Sequence, residues 1–324
     1  MRLMKSCGRF ASLCLTMLAT AYVTVQAQAA ELKVAILKTA NGLAMQHAID
    51  AGYFKEEGVN VQIITLNNGP AVTSAIVSQS ADIGFAAAPV ILSARANGQP
   101  VRFFSVLAVE AFPEKYGVWL DTAAASPVKS VQDLKGRTVA INAAGGQCEM
   151  QLRTQLRSAG LGWNDVKILV LPFPQIPAAL QLGNADVACT IEPFHAVTRL
   201  EPAIKSRSVA QGTTPDMKEG YALVVDGFFA REDWLEQNKD TAQRFARAIR
   251  KANQDIMKDK SIITKLMERD LRIAPTVAAA TKINLDTRDG SGLEKDFQAV
   301  IDLMTAADML SKPVAAADVV YLTD

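Results

Sequence analysis

Short β-rich apolar runs alternate with segments whose apolar residues recur at helical spacing along this chain. Leu32 to Leu37 reads as a first strand, and Lys38-Thr39-Ala40-Asn41-Gly42 as a loop. A helix is predicted over 43–55, with Ala44, His47, Ala48 and Ala51 on one side and Gly58 closing the unit. Val59 to Leu66 is a second strand, and Asn67-Asn68-Gly69-Pro70 is a turn. Ala71 to Gln79 is helical and Ala81 to Phe85 is a third strand. Ala86-Ala87-Ala88-Pro89 then opens another helix, where proline is tolerated because the N–H it lacks would be unpaired anyway.

The same pattern returns about a hundred residues later. Val34-Ala35-Ile36 is matched by Val139-Ala140-Ile141, and Val61-Gln62-Ile63-Ile64 by Val166-Lys167-Ile168-Leu169. Ala81-Asp82-Ile83 is matched by Ala185-Asp186-Val187, and Pro89 by Pro193. The offsets are 139 − 34 = 105, 166 − 61 = 105, 185 − 81 = 104 and 193 − 89 = 104. Apolar strands resemble one another by chance, but chance does not also fix their order and spacing. Each copy is a strand–helix–strand–helix–strand unit of the kind that builds a parallel sheet. Two copies predict an α/β chain with two similar lobes and a cleft between them.

Val101 to Val109 is a further strand, and Tyr116 to Leu120 looks like a strand leaving the first lobe. Asp121 to Pro127 is small and polar, a linker. Tyr221 to Val225 reads as the return crossing. The tail is helical: Asp240-Thr241-Ala242-Gln243 resembles a capping box, and Phe245, Ala248, Ile249, Ala252 and Ile256 share a face. Residues 292–310 form another helix. One lobe is therefore discontinuous, residues 31–118 and 226–324, and the other is 119–225. Two crossings favour a hinge.

The first 30 residues look like a secretory signal. Arg2, Lys5 and Arg9 precede a mostly apolar stretch from Phe10 to Val25, and Ala27-Gln28-Ala29 is a small-x-small site with cleavage expected after Ala29 or Ala30. Ser12, Thr16, Thr20 and Thr24 interrupt the stretch, which argues against a membrane anchor. Leu13 before Cys14 argues against lipid attachment. Cleavage after Ala30 leaves 324 − 30 = 294 residues with a net charge of (34 − 3) − 33 = −2. Such a near-neutral product has no bias toward nucleic acid or membrane surfaces. Cys148 and Cys189 remain, near strand–helix junctions of the second repeat, and export permits either a disulfide or two free thiols. Two cysteines and two histidines, none closely spaced, argue against a zinc site, and no metal or cofactor is expected.

Four stretches carry a family resemblance. They are Ala51-Gly52-Tyr53-Phe54-Lys55-Glu56-Glu57-Gly58-Val59, Gln79-Ser80-Ala81-Asp82-Ile83-Gly84, Val131-Gln132-Asp133-Leu134-Lys135-Gly136-Arg137-Thr138-Val139 and Ile191-Glu192-Pro193-Phe194. In this order they resemble the substrate-binding proteins of ABC importers for sulfonates, taurine, nitrate and thiamine-pyrimidine precursors. Ile191 departs from that pattern, which usually carries tryptophan there. The resemblance implies a type II-like periplasmic binding fold with a hinge and an inter-lobe ligand cleft. It implies a periplasmic protein that hands a small solute to a permease in the inner membrane; free hinge motion suggests a monomer. Relatives of the fold include a pyrimidine-synthesising enzyme dependent on a cysteine-rich motif and a lysine-bound cofactor, and no cysteine cluster occurs here. A Gly-x-Ser-x-Gly elbow and a His-Glu-x-x-His helix are also absent, so a binding protein rather than an enzyme is expected. Cys148 with His195 is the one conceivable nucleophile–base pair. A ligand-sensing partner of a membrane receptor would share the same fold.

Ligands of parallel sheets gather at the carboxyl ends of strands, where helix starts offer unpaired N–H groups to anions. That rule selects Lys38, Thr39 and Asn41 after the first strand, Asn68 and Gly69 after the second, and Ala87 and Ala88 after the third. In the second lobe it selects Asn142, Gly145, Gly146 and Gln147, then Phe173, and then Glu192 and His195. Lys38 and the Gly145-Gly146 helix start suit an organic anion. Glu192 would repel an anion and accept hydrogen bonds from an amine, amidine or pyrimidine, unless it caps local N–H groups. Phe173 and Phe112 either stack on an aromatic solute or pack in the core, and Glu110 is placed near the cleft by its position at the end of the fourth strand.

Overall fold

The computed structural model describes residues 31–288 and 293–321, so the proposed signal segment lies outside it. The strands are β1 (Leu32–Ile36), β2 (Val61–Thr65), β3 (Ile83–Ala87), β4 (Val101–Ala111), β5 (Trp119–Thr122), β6 (Thr138–Ile141), β7 (Lys167–Val170), β8 (Val187–Thr190), β9 (Arg207–Gln211) and β10 (Ala222–Arg231). They form two five-stranded sheets, in the orders β2-β1-β3-β10-β4 and β7-β6-β8-β5-β9. In each, three parallel strands come from one sequence repeat. The repeat extends to register: Val34 faces Ile63 and Ile83, while Val139 faces Ile168 and Val187. A strand donated across the crossing, β10 or β5, pairs antiparallel beside β3 or β8.

The return to the first lobe comes earlier than the sequence suggested. The expected boundary after Val225 falls inside β10, where Leu223 pairs with Glu110 and Val224 with Val109. The reason is burial: Leu223, Val224, Val225, Phe228 and Phe229 all sit in the first lobe's cores, on both faces of its sheet. Similarly, the strand read over 116–120 is realised as β5, from Trp119 to Thr122, which belongs to the second sheet.

Two helices also differ. The predicted helix over 43–55 is two pieces, Leu43–Asp50 and Tyr53–Glu56, because Gly52 takes a left-handed φ of 80° between them. The 20-residue helix Lys239–Lys258 starts behind Asn238, so Asp240 is not its cap. Asp240 instead pairs with Arg244 at 2.8 Å, one turn on. The apolar face of this helix is buried as expected, with the Phe245 ring 5.0 Å from Phe54 and 4.9 Å from Phe228. The last long helix, Leu293–Ala306, lies within the predicted 292–310.

Cys148 and Cys189 form a disulfide that ties the helix Gln147–Ser158 to β8 inside the second lobe, with Cα atoms 5.5 Å apart.

Gly227 lies in the middle of β10 between β3 and β4. A Cβ there would stand 2.5 Å from the Ser105 carbonyl oxygen and 3.0 Å from the Val106 Cα. Backbone cannot move aside as a flexible side chain can, so Gly227→Ala is expected to destabilise the protein by about 3 kcal/mol. Urea unfolding reads this directly; a loss under about 0.5 kcal/mol would contradict the packing described here.

Candidate functional site

Between the two sheets lies a cavity of about 690 Å³, its open mouth included. Strand ends of both lobes line it. The first lobe contributes Leu37, Thr39 and Asn41 after β1, Gly69 after β2, Phe85, Ala87 and Val90 around the end of β3, and Val225 and Asp226 from β10. The second contributes Asn142, Ala143, Gly146 and Gln147 after β6, Phe173 after β7, and Ile191 and Glu192 after β8. Tyr116 and Gly117 of the first crossing and Lys282 complete the wall.

Nine of the residues selected from the sequence therefore meet here: Thr39, Asn41, Gly69, Ala87, Asn142, Gly146, Gln147, Phe173 and Glu192. Five do not. Lys38 is exposed and lines a neighbouring groove with Arg269 and Arg272. Asn68 is turned to its own helix, accepting the Ala71 N–H at 2.9 Å as an N-cap. Ala88 is buried in the core behind the cavity. The Gly145 N–H is already taken by Glu149 of the same helix, at 2.8 Å. His195 is buried against the second sheet, stacked 4.3 Å from Trp119 and with Nδ1 2.7 Å from Asp121. Cys148 is bonded to Cys189, so the imagined Cys148–His195 pair has no thiol. Phe112 is 43% exposed and outside the cavity.

Glu192 lines the cavity and caps nearby N–H groups. Its Oε2 accepts the Ala196 N–H of its own turn at 3.2 Å, and Oε1 accepts the Lys282 N–H from the first lobe at 3.0 Å. Its carbonyl oxygen also accepts the Ala40 N–H, at 3.2 Å. Glu192 thus joins the two lobes at the cavity wall. Burial raises its pKa, against the pull of His195 and of these N–H groups.

Three lining residues matter that the sequence reading missed. Asp226 sits in the apolar run of β10, and burial pushes its carboxyl up to about 7, opposed by hydrogen bonds from the Asn41 side chain and the Ala108 backbone. Its Oδ2 accepts the Asn41 amide at 2.9 Å. Lys282 brings a cation to the wall, 5.2 Å from the Tyr116 ring centre. A lone aspartate inside Ala222–Ala230 was a usable signal, because an unpaired charge in a buried strand needs a reason. Tyr116 and Lys282 lie in segments with no periodic pattern, and only the folded chain brings them together.

The hydrogen-bonding balance of the cavity is uneven. Asp226 Oδ1, Asn142 Oδ1 and Gln147 Oε1 are buried side-chain oxygens lining it, and none has a partner among the described residues. Leaving such groups unmet costs about 1–3 kcal/mol each. A solute that supplies N–H or O–H donors would satisfy them.

Known proteins share this architecture. The alkanesulfonate-binding protein SsuA from Xanthomonas axonopodis pv. citri, solved bound to MOPS, superposes with a TM-score of 0.76 at 20% identity, covering 91% of this chain and 99% of that one. The fold is thus that of the two-lobed periplasmic binding proteins. In sequence, the nitrate/nitrite binding protein NrtA of Nostoc sp. is 27% identical over 215 residues, 61% of this chain and 44% of that protein. The 4-amino-5-hydroxymethyl-2-methylpyrimidine phosphate synthase of Schizosaccharomyces pombe is 26% identical over 216 residues, 64% of this chain and 60% of that enzyme. Both matches span less than two thirds of the relative's own length. The family model described as NMT1/THI5 like matches residues 39–261, more than half of the chain, and the protein belongs to that family.

Proposed function

We propose that the protein is a periplasmic solute-binding protein that captures a small organic solute between its lobes and delivers it to an ABC importer permease in the inner membrane. Residues 1–30 direct its export, and it works as a monomer without catalysing a reaction. The observation that carries this reading is the cavity walled by strand ends of both sheets, with three unmet acceptors facing into it. Closure around a solute would satisfy these groups and stabilise one arrangement of the lobes. The names of the nitrate- and alkanesulfonate-binding relatives support the same reading.

The acceptors favour a solute rich in N–H donors, such as an amine, amidine or aminopyrimidine, over a bare inorganic anion. Phe85, Tyr116 and Phe173 offer faces for a planar ring. A second reading, an organic anion such as a sulfonate or carboxylate, has Lys282 and the helix starts at Gly69 and Gly146 in its favour. The synthase relative makes an enzyme the remaining alternative; the bonded Cys148 and the buried, Asp121-paired His195 weigh against it.

Thermal unfolding of the refolded protein against aminopyrimidines, amines, aromatic carboxylates, alkanesulfonates, taurine and nitrate tests the proposal. A ligand at 100 times its Kd adds about 2.7 kcal/mol, a shift of several degrees in a chain of this size. The expected result is a shift with the N–H-bearing heterocycles and none with nitrate. A shift with sulfonates alone would replace the ligand class, and no shift with any compound would contradict the proposal.

A further inference from the structure

Glu110 is the penultimate residue of β4, where the chain leaves the first lobe, and it is completely buried. It does not line the cavity, contrary to the placement near the cleft expected from its sequence position. It sits instead between the two crossing segments. A Cβ on Gly117 of the first crossing would collide with Oε2, and one on Gly212 of the second would stand 2.9 Å from Oε1. The crossings are themselves joined by the Gly212 N–H, which donates to the Val118 carbonyl at 2.8 Å.

From this position Glu110 reaches the cavity in two steps. Its Oε1 accepts the Thr213 N–H at 2.7 Å, and its Oε2 accepts the Thr213 hydroxyl at 3.1 Å. The Thr213 oxygen in turn accepts the Gln147 amide N–H at 2.7 Å. A hydroxyl has one proton. While Thr213 gives it to Glu110, Gln147 must donate, and the Gln147 oxygen is left facing the cavity without a partner.

We propose that Glu110 is a positioning residue: through the Thr213 hydroxyl it fixes which end of the Gln147 amide faces the cavity, and its protonation turns that wall from acceptor to donor. With a proton on Oε2, Glu110 donates to the Thr213 oxygen. The Thr213 proton then points to Gln147, whose amide rotates to offer its oxygen, and the NH₂ faces the cavity. No atom leaves the chain, and one proton enters from solvent. The charged group facing Glu110 is Lys115. Its neighbours Leu223 and Val225 of β10, Gly117 and Gly212 of the crossings, and Gln151 of the adjoining helix carry no charge. Burial lifts the Glu110 carboxyl to about 7, opposed by the Thr213 hydrogen bonds and by Lys115, so both states are accessible near neutrality.

The meaning of the switch for selectivity rests on the cavity being the solute site, but its test needs no ligand. The side-chain amide signal of Gln147 is assigned in ¹⁵N-labelled protein by its loss in Gln147→Leu and followed from about pH 5 to pH 9, on either side of the Glu110 midpoint. The signal is expected to move with a midpoint near 7 in the wild type and to stay still in Glu110→Gln and in Thr213→Val. Thr213→Val leaves Glu110 in place, so it carries the test if Glu110→Gln does not fold. A Gln147 signal that does not titrate in the wild type would overturn the proposal. So would a titration that persists in both variants, since it would then originate at Asp226 on the other wall. A silent ligand panel beside an intact titration would count against the binding reading and leave this relay standing.

Discussion

Replacing Cys148 and Cys189 together by serine is expected to lower the unfolding free energy by about 4 kcal/mol and the melting temperature by roughly 8–15 °C. The two residues are 41 apart in sequence, so opening their link frees a loop between the 15-residue and 100-residue cases, worth about 3 and 4.7 kcal/mol. Both cysteines are buried, and the bond joins the helix that opens on the cavity wall at Gly146–Gln147 to β8, which leads to Glu192. Loosening it therefore acts on two cavity elements at once. Calorimetric scans of oxidised protein, reduced protein and the double serine variant decide the matter. The reduced protein should melt with the variant. Equal melting of oxidised and reduced samples would mean that the thiols are free in the folded protein.

Asp226→Asn should make the protein more stable at pH 8 and leave it unchanged near pH 4. Burial raises the Asp226 carboxyl from 3.8 to about 7, so the folded state holds its proton at pH values where the unfolded chain has released it. Between those values the folded state binds more protons, and stability falls as pH rises. About three pKa units at 1.36 kcal/mol each set an upper bound of about 4 kcal/mol on the gain at pH 8. Glu110, raised to about 7 by the same cause, gives the variant a remaining pH dependence of the same sign. Denaturant titrations at pH 4, 6 and 8 read the effect. A gain of equal size at all three would assign it to packing rather than to charge. The functional link is direct: an ionised Asp226 with an unmet oxygen is a group that a solute N–H or cation would stabilise.

The sheets were legible in the sequence because each needs only local information. The Val34 and Val139 strands are apolar on both faces, as buried parallel strands are, and loop residues at Lys38–Gly42 and Asn142–Gly146 mark their ends. Strand ends also placed Thr39, Asn41, Gly146 and Glu192, since the carboxyl-end rule depends on topology alone. It could not say which way a side chain turns. Lys38 and Thr39 are adjacent, yet one is exposed and one lines the cavity. Asn68 and Gly145 lie at helix starts as expected, but their hydrogen bonds go to their own helices. Tyr116 and Lys282 come from the first crossing and from a distant segment, where no period points to a partner. The boundary at Val225 falls within β10 for a related reason: the strand runs on through Asp226 to Arg231, and the exposed Tyr221 before it marks the crossing.

One variant isolates the proposed position of the solute in the inter-lobe cavity. Gly146 has an ordinary extended backbone, with φ −96° and ψ −175°, and a Cβ there would meet nothing closer than 3.7 Å. Gly146→Trp therefore fills the cavity from its wall without backbone strain. The measurement is a calorimetric titration of the compound giving the largest thermal shift into wild type and into Gly146→Trp, with matched unfolding curves as the control. One site per chain is expected in the wild type, and at least a hundredfold weaker binding in the variant, about 2.7 kcal/mol. Equal affinity for both proteins would place the solute elsewhere and contradict it.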